Sequence, residues 1–286
     1  MEVLICVISG FFWALFDLTR KLSLKFFSSK SILICLMSLQ SILFLVWTFY
    51  TDFSFDFKNY FVPGCLLIII GVISALLFLK AISNSELSLT IPLLSFTPLF
   101  SAVLSYFLIN EKLTTVQYFA ISLIIIGTLI LYSSSFKISS IFQSIITIKE
   151  SLSARIMLIV AFSWSITPIL DKISLKYSSI NIHGLFQSFG MLLILIIFSI
   201  PEIKKLKKFK INKVSLILIT IFIGTIATIL QFYAILNNYV PIMEAIKRTI
   251  GQFGSLFFGY LVFREKITSQ KIVGLILLSV GILNII

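Results

Sequence analysis

One of the most apolar stretches of the chain contains three charged residues close together. In "EAIKRTIG" (244–251), Lys247 and Arg248 are adjacent, and Glu244 lies one helical turn before them. A helix that begins near Tyr239 and rises about 1.5 Å per residue places both cations roughly 12–14 Å along its axis. Cations at that depth can bind the anionic group of a ligand. Alternatively, Glu244 is three and four residues away from them and can pair with them inside the helix.

The composition decides the environment of these charges. The chain has 286 residues, of which 59% are hydrophobic and 12% charged, and its mean hydropathy is +1.11. So little charge cannot cover the surface of a soluble protein, and apolar runs of about 20 residues indicate membrane-spanning helices. The sequence therefore predicts an all-α integral membrane protein with the lipid bilayer as its surroundings. We expect it in the cell membrane, which is the inner membrane in a Gram-negative bacterium.

The net charge of +12 does not indicate nucleic-acid binding. The basic residues lie mainly between the apolar runs, where positive charge sets the orientation of a membrane protein. Positive charge is concentrated after the odd-numbered runs, which places both termini outside the cell. The family resemblance described below implies both termini inside, so the orientation stays open.

Ten apolar runs are predicted to span the membrane, at 3–19, 32–50, 61–79, 88–109, 116–133, 156–171, 183–200, 214–236, 240–263 and 270–286. They divide into a first five-helix repeat (1–134), a linker (135–153) and a second five-helix repeat (154–286). Apolar residues recur along one side of the linker, which predicts a helix lying in the membrane surface. Its serine content leaves a flexible linker as the alternative.

The two halves align with each other without gaps at several points. Trp13 corresponds to Trp164 and Lys21 to Lys172, and "YFLINEKLT" (106–114) corresponds to "YLVFREKIT" (260–268). Since each half has five spans, the second half must enter the membrane in the opposite sense to the first. Inverted repeats are typical of transporters with a central site at the repeat interface, although a duplication alone also permits a channel.

These features resemble the EamA-like members of the drug/metabolite transporter superfamily. The resemblance rests on the two tryptophans, the "NEK" and "REK" turns and a glycine in each fifth span. It implies ten helices around a cavity and the transport of small metabolites. The Lys-Arg pair also resembles the ninth-span pair of the triose-phosphate translocator branch, which contacts phosphate. That branch carries a further lysine where this chain has Leu94, so a carboxylate or an amino-acid-like substrate fits better than a sugar phosphate.

The predicted function is therefore secondary transport of a small polar metabolite, an amino acid or an organic anion, by alternating access through a central cavity. A lipid-linked substrate flippase and a membrane enzyme are the alternatives. Uncharged polar groups and the tryptophans can line the cavity or bridge and pack helices. The predicted substrate contacts are Lys247, Arg248, Glu244, Gln231, Tyr233, Trp13 and Trp164.

Few other residues can carry chemistry. Asp17 is the candidate for proton or ion coupling, which the sequence leaves open. Asp17 and Asp171 both lie near span ends, where a solvated interface position is favoured over a proton relay. The chain has a single histidine, His183, which allows no histidine-based metal cluster. It also lacks a phosphate-binding GxxxxGK[ST] motif. We therefore expect no enzymatic activity, no metal and no cofactor.

Overall fold

The computed structural model of the chain describes residues 2–133, 135–137, 139–140, 150–203 and 214–285. The predicted linker helix falls largely on residues 134, 138 and 141–149, which are outside the described part. The basic run "EIKKLKKFKINK" (202–213) also lies mostly outside it.

Within these residues the chain is helical, and the described part contains no strand beyond one isolated bridge between Phe55 and Ser178. The first half comprises α1 (Glu2–Ser23), α2 (Ser29–Tyr50), α3 (Phe57–Ser83), α4 (Leu87–Thr90), a 3-10 segment (Ile91–Phe96), α5 (Thr97–Ile109) and α6 (Thr115–Tyr132). The second half comprises α7 (Leu152–Ser174), α8 (Ile180–Ile203), α9 (Val214–Asn237), α10 (Val240–Phe263) and α11 (Ser269–Ile285).

Seven helical segments of the described chain are long and apolar enough to cross a membrane: α1, α2, α3, the segment Ile91–Ile109, α7, α8 and α9. The apolar stretches of α6 and α11 are shorter, and α10 carries three charges. Large apolar side chains such as Phe49, Phe107, Phe198 and Leu283 are exposed on the outside of the bundle. Such an outer surface is suited to lipid and not to water. The chain is thus a multi-pass membrane protein.

The fourth apolar run, predicted over 88–109, is not one continuous helix. It consists of the four-residue α4, the 3-10 segment and α5. Pro92 and Pro98 cause the interruption, because proline has no backbone N–H to donate and its ring crowds the preceding turn. The 3-10 segment and α5 each have a proline in their first turn, where the missing N–H costs nothing.

The helices of the two halves pack in pairs that map onto each other when the halves are exchanged. α1 packs on α9 as α7 packs on α3, and α1 packs on α10 as α7 packs on α5 and the 3-10 segment. The remaining large contacts, α2 with α8 and α6 with α11, join each helix to its own counterpart. Each helix of one half therefore has its main partner in the other half, and the bundle is one interlocked body.

Glycines bring α6 and α11 into backbone contact. A Cβ added to Gly127 would lie 2.8 Å from the carbonyl oxygen of Gly274, and one added to Gly281 would lie 3.0 Å from that of Ala120. These two contacts occupy equivalent positions in the two halves. Close approach through small residues is a general way to join helices in lipid, where the hydrophobic effect gives no driving force.

Two glutamates bind the opposite half in equivalent ways, and we call these contacts the Glu–Lys clamps. The Oε1 atom of Glu111 lies 2.5 Å from Nζ of Lys172, and its Oε2 atom accepts a hydrogen bond of 2.8 Å from the backbone N–H of Val240. The Oε1 atom of Glu265 lies 3.3 Å from Nζ of Lys21 and accepts a hydrogen bond of 2.9 Å from the N–H of Leu87.

Each clamp caps a helix that has no side-chain cap of its own. Val240 is the first residue of α10 and Leu87 is the first residue of α4, and neither N-cap residue caps its helix with a side-chain hydrogen bond. A carboxylate at these ends satisfies an N–H that the helix leaves unbonded and complements the helix dipole. Asn110 and Arg264, with φ of 57° and 56°, end α5 and α10 in the left-handed conformation just before the two glutamates.

We expect Gly127→Val to lower the thermal unfolding temperature in detergent by several degrees. The added side chain would meet the Gly274 carbonyl, and overpacking of this kind costs about 1–3 kcal/mol. The matched control is Gly251→Val, since a Cβ there has no atom within 4 Å. Equal shifts for both variants would contradict the close contact between α6 and α11.

We expect Glu111→Gln and Glu265→Gln each to destabilise the fold by on the order of 1–3 kcal/mol, because each leaves a largely buried lysine without its counter-charge. Unfolding followed by tryptophan fluorescence measures the loss. The control is Lys112→Gln, an exposed neighbour of Glu111, which should leave the unfolding temperature unchanged. A glutamate variant that is as stable as this control would show that the clamps contribute nothing.

Candidate functional site

A cavity of about 130 Å³ lies in the middle of the bundle, where the two halves meet. Its wall contains residues of α1, α2, α3, α7, α8, α9 and α10. The volume is below the roughly 300–1,000 Å³ of sites for drug-sized ligands, so its size fits a small metabolite. The wall combines apolar and aromatic side chains with polar and charged ones.

Lys247 and Arg248 project from α10 into this wall, as the sequence predicts. Both bind the carboxylate of Glu244, which is fully buried. Nε and an Nη of Arg248 lie 3.0 Å and 2.9 Å from Oε2 of Glu244. Lys247 binds Oε1 of Glu244 and also donates a hydrogen bond of 2.9 Å to Oε1 of Gln231. One carboxylate therefore serves two cations, and the α10 cluster keeps one excess positive charge.

The two equivalent tryptophans each cover one of these cations. Nζ of Lys247 lies 5.5 Å from the ring centre of Trp13, and the guanidinium carbon of Arg248 lies 5.0 Å from that of Trp164. Both distances are within the range of cation–π attraction. Trp164 donates from Nε1 to Ser74 over 3.0 Å, whereas Nε1 of Trp13 is buried without a hydrogen-bond partner among the described residues. The two halves thus differ at this point of the cavity wall.

Of the two predicted uncharged polar substrate contacts, Gln231 lines the cavity and Tyr233 does not. Gln231 lies in the wall, and Gln40 joins it, with its Nε2 atom donating a hydrogen bond of 3.2 Å to Thr228. Tyr233 is outside the cavity lining, and 38% of its side chain is exposed on the other face of α9. Residues two apart on a helix face different directions, so Gln231 and Tyr233 cannot share one wall.

Asp17 is buried, so the solvated interface position expected for it is wrong. It forms an ion pair with Arg20 one helical turn later, and Arg20 is packed between the rings of Phe16 and Phe78 at 4.1 Å and 4.3 Å. Arg20 reaches the cavity, while Asp17 borders a smaller recess beside Lys247. The pair is electrically balanced within α1.

Asp171 also differs from its expected solvated position. It lines the cavity, and its Oδ1 atom lies 3.0 Å from Nε2 of His183. The other ring nitrogen of His183, Nδ1, lies 2.8 Å from the hydroxyl of Tyr60. All three side chains are buried. The repeat alignment contains a signal for this residue, because Asp171 occupies the position equivalent to Arg20 and both are charged.

The cavity can therefore hold a small molecule with a negative group next to Lys247 and Arg248 and an apolar part against the aromatic wall. Among the residues that the structure describes, no group of three or more His, Cys, Asp or Glu side chains is placed to hold a metal ion. Sequence reasoning did not single out Arg20, Thr228 or His183 as parts of the site, because none of them stands out in an apolar span without its tertiary neighbours.

Comparison with known proteins gives a family and a fold. The model of the EamA-like transporter family matches residues 1–133 and 152–286. No curated protein matches the sequence. A solved structure titled only "Crystal structure of protein" superposes with a TM-score of 0.64 over 98% of this chain and 97% of its own, at 13% sequence identity. At this identity the likeness shows the fold alone.

We expect Glu244→Gln to destabilise the protein by roughly 3–5 kcal/mol, because Lys247 and Arg248 then stay buried without a counter-charge. Adding Lys247→Met should restore part of the loss, since only one buried cation remains. Thermal unfolding of the two single variants and the double variant measures this coupling. Losses that simply add would show that Glu244 does not neutralise Lys247.

Proposed function

Because the chain belongs to the EamA-like transporter family, we propose that it is a secondary transporter of a small polar metabolite, an amino acid or an organic anion. The single observation that carries the proposal is the central cavity at the contact between the halves, with Lys247 and Arg248 in its wall. Charges inside a membrane bundle are expensive and are generally retained for a function.

We further propose that ten segments cross the membrane and that the two halves insert in opposite senses. Three observations support this topology: the exchange of helix contacts between the halves, the equivalent glycine contacts of α6 and α11, and the equivalent Glu–Lys clamps. The charged α10 is then the ninth span, since its counterpart is the segment Ile91–Ile109, which is long and apolar enough to cross.

We propose that transport proceeds by alternating access. In transporters built from inverted repeats, one half rocks against the other around a fixed central site. The cavity of this chain has that position, and the clamps hold the two broken or proline-started helices, α4 with its 3-10 extension and α10, at their N-termini. Movement of one half relative to the other would have to change the clamp contacts.

The side chains of the cavity favour a substrate with one anionic group. The excess positive charge of the α10 cluster attracts a carboxylate, and the buried Nε1 atom of Trp13 offers a hydrogen-bond donor next to Lys247. A donor that is buried without a partner is destabilising unless a ligand or water satisfies it. The apolar remainder of the wall accommodates the carbon skeleton of the substrate.

The test is uptake into liposomes that contain the purified protein, with labelled amino acids and small organic acids as probes. We expect at least one probe to accumulate, and Lys247→Ala or Arg248→Ala to reduce its uptake by tenfold or more, since each removes a charge that meets the anion. A tenfold loss of affinity corresponds to about 1.4 kcal/mol of binding free energy.

The control is Lys80→Ala, which removes an exposed lysine at the end of α3 and should leave uptake unchanged. A folded protein that moves none of the probes in either direction would contradict the proposal. Uptake that survives in both α10 variants would return Lys247 and Arg248 to a structural role.

A further inference from the structure

Three buried titratable side chains, joined by hydrogen bonds, lead from the cavity to one end of the bundle. Asp171 at the end of α7 borders the cavity, His183 in the first turn of α8 is bonded to it, and Tyr60 near the start of α3 is bonded to His183. Beyond Tyr60, the loops 51–56 and 175–179 close this end of the bundle through backbone hydrogen bonds of Asp56 to Tyr177 and of Ser179 to Ser54, at 2.8 Å and 3.0 Å.

The hydrogen-bond geometry is compatible with two protonation states of this triad. With an ionised Asp171, Nε2 of His183 carries a hydrogen and donates it to the carboxylate. Nδ1 is then free to accept from the hydroxyl of Tyr60, and both ring nitrogens of His183 are used. One additional proton on Nδ1 reverses the second bond, because Tyr60 must then accept. The triad has a net charge of −1 in the first state and 0 in the second.

Other groups around His183 contribute little charge of their own. α2 and α9 present the rings of Phe44 and Phe232, and Phe232 packs edge-on against the imidazole at 4.8 Å. On α3 the titratable group bonded to His183 is Tyr60, and Cys65 interacts electrostatically with Tyr60. Lys247 and Glu244 of α10 act on Asp171 through their charge. Asp171 is thus the only acidic residue that contacts His183 within the part of the chain that the structure describes.

We propose that the Asp171–His183–Tyr60 triad is a proton-binding site and that its proton is bound together with the anionic group of the substrate at Lys247 and Arg248. This inference rests on the proposed transport function. Imidazole is the side chain that changes charge between about pH 5 and 8, and ionisable residues inside membrane bundles commonly form proton relays.

The charges of the cavity explain the coupling. Asp17 and Arg20 balance each other, the α10 cluster has an excess of +1, and the triad without its extra proton has −1. Without substrate, the charges of these side chains therefore sum to zero. Binding an anion alone would leave a negative charge in a low-dielectric bundle, whereas binding an anion and a proton restores neutrality. By linkage, the anion must increase proton binding as much as the proton increases anion binding.

The single histidine of the chain permits a direct test without any variant. The protein is labelled with ¹⁵N-histidine, purified without a polyhistidine tag and placed in lipid nanodiscs, so that one imidazole gives the whole signal. As the pH is raised across the range in which the protein stays folded, the spectrum should change from a doubly protonated ring to the neutral Nε2–H tautomer. A signal with one protonation state over the whole range would overturn the proposal, whatever the protein transports.

The second measurement is the pH dependence of anion affinity, with succinate, lactate and glutamate as separate probes. We expect affinity to fall about tenfold for each pH unit above the point where His183 loses its proton, as one coupled proton requires. His183→Gln should make affinity independent of pH while the anion still binds. The exposed Asp52→Asn, at the same end of the bundle, should keep the native slope.

The Asp17→Asn variant shows whether the coupled proton binds to the triad or to Asp17, the other candidate for coupling. A retained pH slope in this variant supports the triad, and a lost slope would assign the proton to Asp17 instead and overturn the proposal. Anion binding with no pH slope in the native protein would also overturn it, although transport would stand. If the imidazole titrates but none of the probes binds, the proposed anion transport fails and the proton-binding site remains.

Discussion

A carboxylate from each half is bound to a lysine and a helix start of the other half, and the architecture depends on these two contacts. Glu111 and Glu265 satisfy charges and N–H groups that lipid could not satisfy. In a bilayer, apolar packing distinguishes poorly between helix neighbours and lipid, so polar contacts and close backbone approach decide which helices meet. The clamps thereby fix the N-termini of α4 and α10, and α10 carries the charges of the cavity.

The same requirement for paired charge shapes the site. Three buried clusters, Asp17 with Arg20, Glu244 with its two cations, and Asp171 with His183, lie around one cavity. Asp17 and Arg20 balance each other, whereas the α10 cluster has one positive charge in excess and the ionised triad has one negative charge. The proposed coupling of an anion and a proton rests on this separation of charges of both signs around one cavity.

Much of the fold could be predicted from the chain. The apolar runs located the helices, since a bilayer requires about 20 apolar residues for each crossing, and α10 begins and ends where the sequence indicated. The fourth run is helical but consists of three pieces, a break that the two prolines explain. The family, too, followed from sequence alone, through the order and repetition of motifs that are each weak, and the family model confirms it over both halves.

By itself, the sequence determined the membrane class, the two related halves and the presence of charge deep in α10, because hydropathy and repetition are properties of the linear chain. Tertiary structure decided the partners of that charge. Glu244 was within reach of either cation, and only the fold shows that it binds both. His183 and Tyr60 are 123 positions apart, so no local pattern could join them to Asp171. Only the packing of α3, α7 and α8 brings these side chains together, since hydrogen bonds depend on distance in space.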